Sequence, residues 1–101
     1  MPIKKVTVIQ DVITALEGGA LIPSKHALLQ MKERNIDLSD VEEAVYRAVR
    51  EEQKDSLTEQ GMDWKYAIRG MNDNGDKDLR LVVVYLDAPK MLLVTAIDKN
   101  K

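Results

Sequence analysis

Gly61-Met62-Asp63-Trp64-Lys65-Tyr66-Ala67-Ile68-Arg69 is where this chain changes period. Trp64, Tyr66 and Ile68 alternate with Lys65, Ala67 and Arg69, so one face is apolar and the other mostly polar, as a half-buried strand requires. Asn72-Asp73-Asn74-Gly75-Asp76 follows, a cluster of residues that tolerate the positive φ of tight turns. Leu79 to Leu86 is then apolar on both faces except at Arg80, the pattern of a central strand covered on both sides. Asp87-Ala88-Pro89-Lys90 turns the chain again, and Met91 to Ile97 forms a third strand. Short links between consecutive strands predict an antiparallel meander.

Upstream the apolar residues recur with helical spacing. Ile9, Val12, Ile13 and Leu16 mark a helix over Thr7 to Glu17, ended by Gly18-Gly19, although Val6-Thr7-Val8 also suits a short strand. Ala20-Leu21-Ile22-Pro23 is a short apolar connector. Ser24 caps a second helix running to about Arg34 with Ala27, Leu28 and Met31 facing inward. Asn35 provides a left-handed stop after which Ile36 packs back. Ser39 and Glu42 have the spacing of a capping box for a third helix, with Val41, Ala44, Val45, Ala48 and Val49 inward and Glu51 among its wet residues. Residues 52–61 show no sustained apolar period and read as a solvated loop. The expected architecture is α+β: three N-terminal helices packed on one face of a three-stranded antiparallel meander, in a single domain spanning residues 1–101. The tail from Asp98 to Lys101 is expected to fray.

Composition narrows the function. The 101 residues include no cysteine, which excludes disulfides, thiol nucleophiles and thiolate metal sites. One histidine makes a zinc site improbable, and no glycine-rich loop has a phosphate-cradling context. Asp73, Asp76 and Asp78 surround a turn but lack calcium-loop spacing. Neither metal nor cofactor is expected. No apolar run approaches the ~20 residues a bilayer needs, and the basic start from Met1 to Lys5 is not followed by a secretory apolar core. A cytoplasmic protein with no membrane partner is expected. With a net charge of −2, RNA binding would need a local basic patch.

Ser24-Lys25-His26-Ala27, Met31-Lys32-Glu33-Arg34-Asn35-Ile36, Trp64-Lys65-Tyr66, Ile68-Arg69-Gly70, the strand from Leu79 to Tyr85 and Val94-Thr95-Ala96 recur in one order and spacing. From about Ser24 to Ile97 the chain resembles the uncharacterised bacterial family called domain of unknown function 4258. The resemblance implies a scaffold of the RelE, barnase and colicin ribonuclease type, with RNA cleavage proposed for the family.

RNA cleavage without a metal needs a proton acceptor, a proton donor and cations around the phosphate. His26 is the one side chain that ordinarily exchanges protons near neutrality, and it stands at a helix start, where free N–H groups favour an anion. It equally suits a histidine that merely bonds to a loop. Arg80 interrupts an apolar strand and so must reach an edge or meet an anion. Arg69 lies on the neighbouring strand, as a phosphate contact or simply wet. Tyr66 and Thr95 supply hydroxyls, and Tyr66 also suits the core. Arg34, eight positions after His26, can flank an extended ligand or sit exposed near a helix end. Trp64 can stack a base or pack against the helices. Two functions follow: a metal-independent, toxin-like endoribonuclease acting through His26, Arg69, Arg80, Tyr66 and Thr95, or a non-catalytic module docking a protein. The expected partners are RNA, or a protein such as an antitoxin, docked on the same face or on an exposed sheet edge.

Overall fold

The computed structural model describes residues 3–100. In chain order its elements are α1 (Val8–Glu17), β1 (Leu21–Pro23), α2 (Lys25–Glu33), α3 (Leu38–Tyr46), β2 (Val49–Arg50), a 3₁₀ turn (Glu52–Lys54), β3 (Ser56–Leu57), β4 (Trp64–Met71), β5 (Asp78–Tyr85) and β6 (Met91–Asp98). The architecture is α+β, but the three-stranded antiparallel meander is wrong. The sheet has six strands and is mixed, ordered β1-β6-β5-β4-β2, with β3 also pairing β4. β1 runs parallel to β6, whereas β2, β3, β5 and β6 make antiparallel pairs.

The three added strands are two or three residues long, too short to show a period of two. Ala20-Pro23 therefore read as a connector, and residues 49–61 as a helix end and a loop. Their role is to occupy sheet edges. On the outer side of β4, β2 pairs Ile68 and Arg69, β3 pairs Trp64 and Lys65, and the Asp55 carboxylate accepts the Ala67 N–H at 2.8 Å. On the outer side of β6, β1 pairs Met91 to Leu93, and α2 takes over beyond. The Ser24 N–H donates to the Leu93 carbonyl at 2.8 Å, and the Gln30 side-chain oxygen accepts the Ala96 N–H at 2.9 Å. These short strands become the outermost strands of the sheet, β1 on one side and β2 on the other.

The helices lie on one face. Tyr66, Ile68, Leu79, Leu81, Val83, Met91, Leu93 and Ala96 point towards them and are buried with Val8, Val12, Ala27, Met31, Val41 and Val45. Residues of the opposite phase, Val82, Val84, Leu92 and Ile97, are only half-buried, so β5 is not covered on both sides. α3 meets β4 at Gly70, where a Cβ would stand 2.1 Å from the Ala44 carbonyl oxygen. Only a residue without a side chain allows that approach.

Local signals set the ends of α2. Ser24 caps α2, Asn35 is left-handed at φ 55°, and Ile36 is buried behind it. Leu28, expected inward, is half exposed. The capping box of α3 is Asp37 with Asp40, not Ser39 with Glu42. Once Ile36 turns inward, the chain is already aligned for helix at Leu38. At the other end Asp98 still belongs to β6 and is buried rather than frayed, and Lys101 lies outside the described residues, as do Met1 and Pro2.

Candidate functional site

The sheet face turned away from the helices carries the main polar constellation. Register places Arg69 directly opposite Arg80. Two like charges facing across a ladder repel, so the pair needs anions beside it. Glu51, just after β2, accepts from Arg80 Nε at 2.7 Å and Nη2 at 3.1 Å, and its Oε2 lies 3.6 Å from Arg69 Nη1. Asp78 accepts from Arg69 Nε at 2.9 Å and from Nη2. Both contacts are two-pronged, the geometry a guanidinium offers a carboxylate. The hydrogen bond from Arg80 holds the Glu51 carboxyl below the usual range, and that from Arg69 does the same for Asp78. In return both guanidinium pKa values rise, Arg69 chiefly through Asp78 and Arg80 chiefly through Glu51. Glu51 is only 7% exposed, while the Arg69 side chain remains 39% exposed.

Thr95 shares this face. It stands opposite Val82, the next residue of this face along β5 after Arg80, which stands opposite Ile97. Arg69, Arg80 and Thr95 are thus brought together on one surface. The other expected residues are not. Tyr66 alternates to the helix side, is 1% exposed, and its hydroxyl accepts the Lys5 backbone N–H at 2.8 Å. Its ring packs edge-on to Tyr85, with the Arg50 guanidinium 5.3 Å from its centroid. Trp64 packs against the core, and the Lys4 ammonium lies 4.4 Å from its ring.

His26 and Arg34 belong to α2, beyond β6. His26 is exposed in the first turn, and Arg34, half-buried, is the C-cap. Around them α2 carries Lys25 and Lys32 against a single Glu33, so the helix surface is basic. Because Glu51 lies on the far side of β4, the Arg80 side chain reaches across β4 and away from α2. The imidazole and the two guanidinium groups therefore do not converge on one atom.

Residues 23–98 match the family described as Domain of unknown function (DUF4258). The chain belongs to that family. No curated protein and no solved structure matches it. The match contains every residue of the DUF4258 constellation, Glu51 included, and leaves α1 outside.

Glu51 is what the sequence reading missed. Its signal was Arg80, which demanded an anion. The anion came from 29 positions upstream, in a stretch read as the wet end of a helix. Asp78 was likewise seen only as part of a turn. No group of three or more histidine or carboxylate side chains gathers as metal ligands among the described residues of the DUF4258 domain. Nor is any helix there long and apolar enough to cross a membrane.

Proposed function

We propose that this DUF4258 domain cleaves RNA without a metal, on the uncovered face of its sheet. One observation carries the reading: a carboxylate held ionised, Glu51, is flanked by two guanidinium groups, Arg69 and Arg80. That set supplies a proton acceptor and the cations that a crowded phosphate needs. Glu51 takes the proton of a ribose 2′-hydroxyl as the O2′–P bond forms. Arg69 and Arg80 hold the non-bridging oxygens while the bond from phosphorus to the 5′ oxygen breaks. Water protonates that leaving oxygen, while Thr95 lies on the same face and His26 and Arg34, on the basic α2, contact the RNA strand farther from the reacting phosphate. The kinship with RelE, barnase and colicin-type nucleases that the resemblance implies fits this chemistry.

The test is degradation of single-stranded and structured RNA by metal-free protein in chelator. Wild type should leave 2′,3′-cyclic phosphate ends. Glu51→Gln should lose about 100-fold or more in rate, the usual worth of a general base, whereas His26→Ala should weaken RNA binding and leave the rate at saturation unchanged. Uncut RNA ends the proposal.

A second reading has its own observation. Both guanidinium groups already engage carboxylates through two donors each, which leaves little charge for phosphate. On that reading the domain is a non-catalytic module, and a protein partner such as an antitoxin docks on the open face beside Val82, Val84 and Leu92. The same assay separates the two, because a docking module leaves RNA intact.

A further inference from the structure

We infer that the hollow between α1 and the β5–β6 turn binds a nucleoside monophosphate. This site is distinct from the arginine constellation and does not rest on RNA cleavage. The hollow encloses about 430 Å³ and opens into a neighbouring one of about 700 Å³, with Lys5, Tyr85, Leu86 and Lys90 lining both. The first volume lies within the span of ordinary small-molecule sites.

Three kinds of group meet there. Lys5 and Lys90 bring two ammonium groups, and neither forms an ion pair with a carboxylate among the described residues; the Lys5 ammonium lies 5.6 Å from the Tyr85 ring centroid. Asp11 is an oriented acceptor. Its Oδ2 takes hydrogen bonds from the Thr7 hydroxyl at 2.9 Å and the Tyr85 hydroxyl at 2.5 Å, whereas Oδ1 accepts none among the described residues. Burial and the bond to Asp11 push the Tyr85 phenol well above its ordinary pKa, so it remains a donor at any physiological pH. Leu86, Pro89 and Met91 give the hollow an apolar wall.

A ligand that satisfies all three has an anion for the lysines, hydroxyl donors for Asp11 Oδ1 and a flat apolar body for the wall. Inorganic phosphate offers only the first, and a fatty acid lacks the second. A nucleoside monophosphate has phosphate, ribose hydroxyls and a base.

The test is an amide-resolved NMR titration of the full chain with adenosine 5′-monophosphate, adenosine and inorganic phosphate. The monophosphate should give saturable shifts at α1 and the β5–β6 turn, and bind about tenfold or more tighter than either fragment, since each removes a set of contacts. Asp11→Asn and the double variant Lys5→Ala/Lys90→Ala should each weaken it about tenfold, with the amide spectrum showing that both remain folded. No saturable shift, inorganic phosphate binding as tightly as the monophosphate, or folded variants binding like wild type would each overturn the assignment.

Discussion

Glu51 has two duties that a single substitution separates. It ties β2 to β5 by accepting from Arg80, and it is the proton acceptor of the proposed reaction. Glu51→Gln keeps the shape and an acceptor oxygen but loses basicity. Cleavage should therefore collapse while circular dichroism still shows the native fold. Gly70 makes the opposite case, a residue needed only for packing. Gly70→Ala puts a methyl group 2.1 Å from the Ala44 carbonyl oxygen, a backbone atom that cannot yield without moving α3. The expected loss is about 3 kcal/mol, the upper end of ordinary overpacking, measured as a lower urea midpoint.

The elements differ in how openly the sequence announces them. α1, β4, β5 and β6 are eight residues or longer and carry full periods, so a reader of the chain can find them. β1, β2 and β3 are defined by what they pair with, and nothing local in Leu21-Ile22-Pro23 or Ser56-Leu57 reveals a partner that lies far along the chain for the first and a few residues on for the second. The same limit applies to the site. Arg80 stood out as a charge in an apolar strand, but Glu51 did not, because Val49 and Glu51 continued the pattern of a helix that stops at Tyr46. Residues 52–61 are also more structured than their composition suggests. Asp55, whose side chain is fully buried, accepts from Arg50 Nη1 at 3.1 Å and Nη2 at 2.6 Å and from the Ala67 N–H, and its carboxylate lies 3.0 Å from the Lys4 ammonium. Burial raises its pKa, but these donors together outweigh it and the net shift is downward. Asp55→Ala would remove the carboxylate partner of Arg50, leaving that guanidinium only its bond to the Ala67 carbonyl, and would leave the Ala67 N–H unpaired, releasing the β4 edge. A loss of about 3 kcal/mol is expected, with faster amide exchange at Trp64 to Ala67, checked by urea denaturation and hydrogen exchange.

For the whole molecule, the carboxylates set the response to acid. Asp40, Glu51, Asp55 and Asp78 all have pKa values lowered by folding. The unfolded chain therefore binds more protons than the native one as pH falls through the carboxylate range. The stabilisation is complete above the ordinary carboxylate pKa values, near 4, and drains away as pH falls through the lowered native ones. Thermal midpoints should be flat above about pH 5.5 and fall steeply below about pH 4, and Glu51→Gln should flatten part of that fall. The molecule also separates its polar sites by position, with the arginine pair on the open sheet face and the Lys5, Asp11 and Lys90 hollow beside α1 at the β5–β6 turn.

The central claim, that Glu51 between Arg69 and Arg80 is a cleavage site, is tested most directly by one measurement. Purified wild type and Glu51→Gln are incubated with labelled RNA in chelator, and the product ends are analysed. The account predicts cyclic phosphate ends from wild type and at least a hundredfold slower appearance from the variant. Intact RNA with wild type, or equal rates from the two proteins, would contradict it.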